Sequence, residues 1–98
     1  MILVLTAEAE ADLERIGDHI ARDNPQRALS FLLELRERTE RLLDMPWAYS
    51  LVPRYEHAGV RRCVHGNYLI FYRIGPHAIE VLHILNGAMD YERLLFPE

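Results

Sequence analysis

The sequence predicts an α+β fold of order β-α-α-β-β-β, with a helical hairpin packed on one face of a mostly antiparallel four-stranded sheet. Three observations predict it. Two apolar stripes at helical spacing occupy residues 7 to 44 and meet at Asn24-Pro25. Three strand-like runs follow, joined by the turn signals Gly66-Asn67 and Gly75-Pro76. A short apolar run opens the chain, so helices and strands are segregated rather than alternating. A length of 98 residues suits one domain, spanning 1–98.

Ile2-Leu3-Val4-Leu5 reads as a strand that is apolar on both faces. Thr6 is a helix N-cap candidate, and Glu8 and Glu10 sit in the first turn, where the helix dipole favours acids. Ala9, Leu13, Ile16 and Ile20 recur at spacings of four, three and four, which places them on one face of a helix over about residues 7 to 23. Asn24 suits the cap of a second helix and Pro25 its first position, where a missing N–H costs nothing. Ala28, Phe31, Leu32, Leu35, Leu42 and Leu43 carry that helix to about Asp44, before Met45-Pro46 stops it. Leu29 and Leu33 widen its apolar stripe beyond one packing face. Glu34 with Arg38, and Glu37 with Arg41, are spaced as supporting i,i+4 ion pairs.

Residues 45 to 59 hold two Pro, one Gly, the only Trp and two Tyr, the make-up of a loop with aromatic anchors. The strand runs are Val60 to His65, Tyr68 to Ile74 and Ala78 to Leu85. Asp90 to Phe96 then allows one or two helical turns. Simple alternation puts Tyr68, Ile70, Tyr72 and Ile74 on one face of their strand, with Leu69, Phe71 and Arg73 on the other. It puts Ile79, Val81, His83 and Leu85 opposite Glu80, Leu82 and Ile84 in the next strand. Both faces of the central strands are therefore mostly apolar, yet two helices blanket only one. Four strands about 4.8 Å apart and roughly 20 Å long leave a few hundred Å² on the second face. That area is near the limit of what monomers leave open. Three covers are available: the C-terminal tail over part of the face, the loop carrying Trp47 and Tyr49, or a segment of another polypeptide, which is the one expected for the rest.

Composition narrows the function. Half of the residues are hydrophobic and 27% are charged, as in a globular domain rather than a disordered tail. The uncharged runs are too short to span a bilayer, and residues 1 to 6 lack the basic start of a secretory signal. A lone cysteine, Cys63, excludes an internal disulfide framework and a cysteine-based zinc site, so the cytoplasm is the expected compartment. The 11 basic residues, all Arg, face 15 acidic ones, for a net charge of −4. This balance argues against a general nucleic-acid binder, which needs surplus positive charge.

Three strings carry a family resemblance. They are AEADLERIGDHIARDNPQRA (9 to 28), GVRRCVHGNYLIFYRI (59 to 74) and IEVLHILNGAMDYERLL (79 to 95). Together they cover most of the chain, which resembles the ParE toxins of bacterial toxin–antitoxin modules, within the wider RelE/ParE superfamily. The resemblance implies an inhibitor of DNA gyrase that acts by binding protein. It also implies a cognate ParD-like antitoxin whose C-terminal segment wraps the toxin. The RelE branch instead cleaves ribosome-bound mRNA, and a non-toxic relic that still binds antitoxin is a third possibility. The tail departs from the commonest family pattern: His83 stands where Arg is usual and Asn86 where His is usual, while Met89-Asp90 resembles a variant ending. These departures lower the positive charge of the tail.

Catalysis on RNA would need cations on the scissile phosphate and a base or acid at the 2′-hydroxyl. The candidates are Arg61, Arg62, Arg73, His83 and Tyr91. Arg61 and Arg62 are adjacent in a strand and point to opposite faces, so they serve one phosphate poorly. Arg73 suits a carboxylate partner, His83 a partly buried histidine, and Tyr91 a tail-packing role. A metal site is not expected: His77 and His83 lie too far apart along a strand for one ion, and His57 and His65 lack a supporting pattern. Cys63 reads as a packed thiol. No cofactor motif is present; Gly66 and Gly75 are turn glycines.

The sequence therefore favours a binder over an enzyme. Its candidate anchors are Trp47, Tyr49, Tyr68, Leu94, Leu95 and Phe96, residue types that dominate interfaces. Leu29 and Leu33 are the expected wall of a groove for an incoming amphipathic helix. Arg73 and His83 mark the polar end of the uncovered face, and Met89 is the tail's contribution. A partner covering apolar surface should stabilise the chain strongly, and the chain alone should behave poorly.

Overall fold

A computed structural model describes residues 1–97. Its elements are β1 (Ile2–Leu5), α1 (Ala7–Ala21), α2 (Pro25–Arg41), β2 (Val60–His65), β3 (Tyr68–Ile74), β4 (Ala78–Asn86) and α3 (Tyr91–Leu95), with a 3-10 turn at Glu56–Ala58. The fold is α+β, as the sequence predicts. The helix starts are set by side chains: Thr6 accepts from the Ala9 amide, and Asn24 accepts from the Arg27 amide ahead of Pro25. Both helices end a little earlier than their apolar stripes suggest. Arg22, Asp23 and residues 42 to 44 form turns, in which Leu42 is still buried.

The sheet order is β1-β4-β3-β2. β4 and β2 flank β3 antiparallel, while β1 lies parallel to β4, with Leu3 opposite Ile79 and Leu5 opposite Val81. The two helices run antiparallel: Gly17 of α1 meets Leu32 of α2, and Glu10 meets Arg36. Their inner faces (Leu13, Ile16, Phe31, Leu35) bury one side of the sheet at Cys63, Ile70, Tyr72, Ile79, Val81 and Ile84. The remaining strand edge, on β2, is partly occupied by the chain itself, because Val52 donates to the Val60 carbonyl and Leu51 bridges Arg61.

The structure corrects the sequence reading at two places. The first is the alternation of β4. Phe71 faces His83 and Tyr72 faces Val81, so Leu82 is an extra, unopposed residue. This bulge shifts the alternation. Val81 and Ile84 both reach the helix side, and Leu82 and Leu85 both reach the opposite side. The second is the expected need for another polypeptide on the far face. Val52, Val60, Phe71 and Leu85 are buried there under the chain's own Tyr55, Ala58, Tyr91, Leu95 and Phe96. The cover is residues 51 to 58 and α3, not the Trp47–Tyr49 stretch, which lies against the helix-side cluster through Tyr49. That face stays open at its two ends, at Ile2 and Val4 of β1 and at Val64 of β2.

Candidate partner-binding surface

Leu29 and Leu33 lie on the outward side of α2 and are 64% and 60% exposed. They are held there because Ala28, Phe31 and Leu35 occupy the core-facing positions of the same helix. One of the two expected helix pairs forms: Arg41 donates to Glu37 at 2.9 Å. The Glu34–Arg38 pair does not. Glu34 bonds Arg27 at 2.5 Å and lies 3.3 Å from His65, and the Arg27 bond lowers the Glu34 carboxyl below its usual range. Arg38 turns instead toward β2, where its Nε reaches the Cys63 sulfur at 3.3 Å.

The loop before β2 forms a second exposed feature. The Tyr72 hydroxyl donates to the Pro46 carbonyl at 2.7 Å, and this bond anchors the loop to the core. Burial pushes the Tyr72 phenol up to about 12. Tyr49 is half-buried, edge-on to Tyr72 with ring centroids 6.5 Å apart. Trp47 stays 69% exposed, with the Arg61 guanidinium 5.0 Å from its ring centroid.

A third feature lies at the tail. Tyr68, Met89 and Leu94 border a shallow groove of about 250 Å³, into which Ile16, Ile84 and Leu85 show from the core. Tyr68 also packs on Phe31, with centroids 5.6 Å apart. Leu95 and Phe96 are half-buried on the far face of the sheet, where Phe96 stacks on Tyr55 with centroids 4.1 Å apart. Both therefore serve the chain's own packing, as does Tyr49.

Of the five candidates for catalysis, Arg62 and Tyr91 bond each other, and Arg61, Arg73 and His83 are each held by a different partner. Arg61 donates to the Tyr49 carbonyl at 2.6 Å on the helix side, whereas Arg62 donates to the Tyr91 hydroxyl at 2.8 Å on the other. Arg73 pairs with Glu80 at 3.0 Å across the strands. The His83 Nδ1 lies 2.7 Å from Asp12. Among the described residues no three His, Cys, Asp or Glu side chains are grouped to hold a metal ion, and no helix is long and apolar enough to cross a membrane.

Asp12 is the residue that sequence reasoning passed over. It is 2% exposed, and its Oδ2 accepts from the Ile84 amide at 2.9 Å as well as meeting His83; Arg15 bonds its other oxygen. The signal was available: Asp12 falls three residues after Ala9 and four before Ile16, inside the buried stripe.

Comparisons with known proteins agree with this architecture. Residues 3–91 match the family model described as the ParE toxin of the type II toxin–antitoxin system, parDE. The chain is 29% identical over 87 residues to Toxin ParE1 of Caulobacter vibrioides, an alignment covering 88% of each protein. It superposes with a TM-score of 0.74 and 27% identity on a chain of the chromosomal ParDE TA system from P. aeruginosa, covering 88% of this chain and 95% of that one. With the helical hairpin, the mixed sheet and a family match over nearly its whole length, this chain belongs to the ParE toxin family of type II toxin–antitoxin systems.

Proposed function

We propose that this chain, acting as one domain in the cytoplasm, is a toxin that works by binding protein rather than by turnover. DNA gyrase is its target, and a ParD-like antitoxin neutralises it by wrapping a C-terminal segment around it. The solved ParDE system to which the chain is similar supports an antitoxin partner. The observation that carries the binding mode is the exposed Leu29–Leu33 stripe on α2. Two leucines one helical turn apart are the minimal apolar track for an amphipathic helix. The division of Arg61 and Arg62 between opposite faces, with Arg73 already paired to Glu80, supports binding over RNA cleavage. The groove at Met89 and Leu94, beside Tyr68, offers a further apolar seat for a partner.

The test is controlled expression with three readouts: plasmid supercoiling, trapped gyrase cleavage and mRNA integrity. Trapped cleavage is the expected result. Cut mRNA with gyrase untouched would replace this reading with that of a RelE-type endonuclease, and neither effect would mark a non-toxic antitoxin binder. In parallel, Leu29→Asp with Leu33→Asp should weaken the complex with the co-encoded antitoxin at least tenfold, measured by biolayer interferometry.

A further inference from the structure

The loop before β2 carries an arrangement that the helix stripe does not explain. Trp47, the only tryptophan, stands 69% exposed, although large aromatic side chains are usually well buried. Its position is built. Pro46 is tied to the buried Tyr72, and the Ala48 amide closes a turn onto the Met45 carbonyl. The Arg61 guanidinium lies 5.0 Å over the indole while donating to the Tyr49 carbonyl. Arg38 lies 5.9 Å over the Tyr49 ring. Trp47, Arg61, Tyr49 and Arg38 thus alternate as aromatic, cation, aromatic, cation.

Most arginines of this chain, seven of the eleven, have a carboxylate partner. Arg15, Arg27, Arg36, Arg41, Arg54, Arg73 and Arg93 each pair with a carboxylate. Among the described residues, no carboxylate lies within 4.0 Å of Arg22, Arg38, Arg61 or Arg62; of these, Arg62 bonds the Tyr91 hydroxyl on the far face, and only Arg38 and Arg61 lie over aromatic rings. The acids that share the cleft beside Arg38 are already engaged, Glu34 with Arg27 and Glu37 with Arg41. A chain of net charge −4 has therefore left two guanidiniums without counter-charge beside an open indole. Arg61 donates through Nη1 to the Tyr49 carbonyl and keeps its Nε–Nη2 edge for a planar carboxylate, whereas Arg38 places Nε on the Cys63 sulfur and Nη2 on the Val64 carbonyl, both at 3.3 Å, and offers its Nη1.

We infer that Trp47, Arg61, Tyr49 and Arg38 form a docking site for an acidic peptide segment of the antitoxin, one that lays an apolar side chain on Trp47 and its carboxylates on the two guanidiniums. This inference rests on the reading above that an antitoxin wraps the chain. The occupant is peptide rather than nucleic acid, because a phosphate backbone needs a continuous track of cations. Two guanidiniums in a net acidic chain bind a short acidic segment and repel a long polyanion. The site lies on the β2 flank of α2, away from Leu29 and Leu33, so a wrapping segment reaches it by a separate contact.

The test uses the full chain, labelled with 15N at Trp47, and its unlabelled co-encoded antitoxin. The single indole N–H resonance should shift when the complex forms. Trp47→Ala and Arg61→Glu should each weaken the complex about tenfold or more. Changing an acidic residue of the antitoxin to Lys should restore binding to Arg61→Glu but not to Trp47→Ala. Far-UV circular dichroism of the free variants should match the parent, because Trp47 is outside the core. An unmoved indole resonance, with parental affinity in both variants, overturns the docking site and leaves the toxin reading standing. Failure of the parent chain to bind the antitoxin at all overturns both. A shift produced by oligo(dT) and not by the antitoxin assigns the site to nucleic acid and also overturns the inference.

Discussion

Asp12 joins the start of the chain to its end. β1 stops at Leu5, opposite Val81, so β4 continues past it with no strand at its edge. The Asp12 carboxylate takes the Ile84 amide that a longer β1 would have taken, and Thr6 donates to the Val81 carbonyl just before it. Asp12→Ala leaves the buried Ile84 amide without its partner and should cost about 1–3 kcal/mol, read from the urea midpoint. Asp12→Asn keeps an acceptor for that amide and should lose less. Tyr72 predicts a pH dependence. Burial raises its phenol from 10.0 to about 12. A group that titrates higher in the fold contributes its full stability below pH 10, and that contribution disappears as the pH rises toward 12. Tyr72→Phe should flatten this alkaline loss in thermal melts, at a cost of about 1 kcal/mol for the bond to Pro46.

The helical hairpin and the α3 cover depend on different kinds of contact. Gly17 lets α1 approach α2 closely: a Cβ there would sit 2.8 Å from the Leu32 Cδ1. That methyl is the end of a flexible side chain and can rotate away. Gly17→Ala should therefore change stability by less than about 1 kcal/mol, the helix-propensity gain offsetting the displaced leucine. Gly17→Val drives branched carbons into the same place and should cost about 1–3 kcal/mol by chemical denaturation. On the other side of the sheet, α3 is only five residues long and cannot hold itself. It is held by the Phe96–Tyr55 stack, the Phe71–Tyr91 contact and the Arg54–Glu92 pair at 2.8 Å. Phe96→Ala should lower stability by about 1–2 kcal/mol and raise binding of a hydrophobic dye, because it uncovers the Tyr55 side of the second cluster.

Across the molecule, apolar surface is divided between self-cover and partner contact. The far face of the sheet is largely closed by residues 51 to 58 and α3, so that face gives no reason for the chain to depend on a partner to fold. What stays open is peripheral: the α2 stripe, the Trp47 loop, the Met89–Leu94 groove and the two ends of the sheet, at β1 and at Val64. Leu29→Asp with Leu33→Asp should therefore leave the free chain's denaturation midpoint within about 0.5 kcal/mol of the parent while weakening antitoxin binding. The antitoxin should still raise the melting temperature by mass action.

Apolar periodicity, caps and turn residues were enough to read the helical hairpin, the three C-terminal strands and the order of elements. These features are local: Thr6, Asn24-Pro25 and Gly66-Asn67 act on their immediate neighbours. The exposure of Leu29 and Leu33 was also legible, because they exceed the width of one packing face. Contacts between residues far apart in the chain were not. Ile84 meets Asp12 across 72 positions, Leu82 bulges because of how β3 and β4 register, and Phe96 folds back onto Tyr55. Periodicity reports which side of a strand is apolar but not which segment will lie on it. The far face and part of its cover, the C-terminal tail, could therefore be read from the sequence, while the share taken by residues 51 to 58 was settled by long-range packing alone.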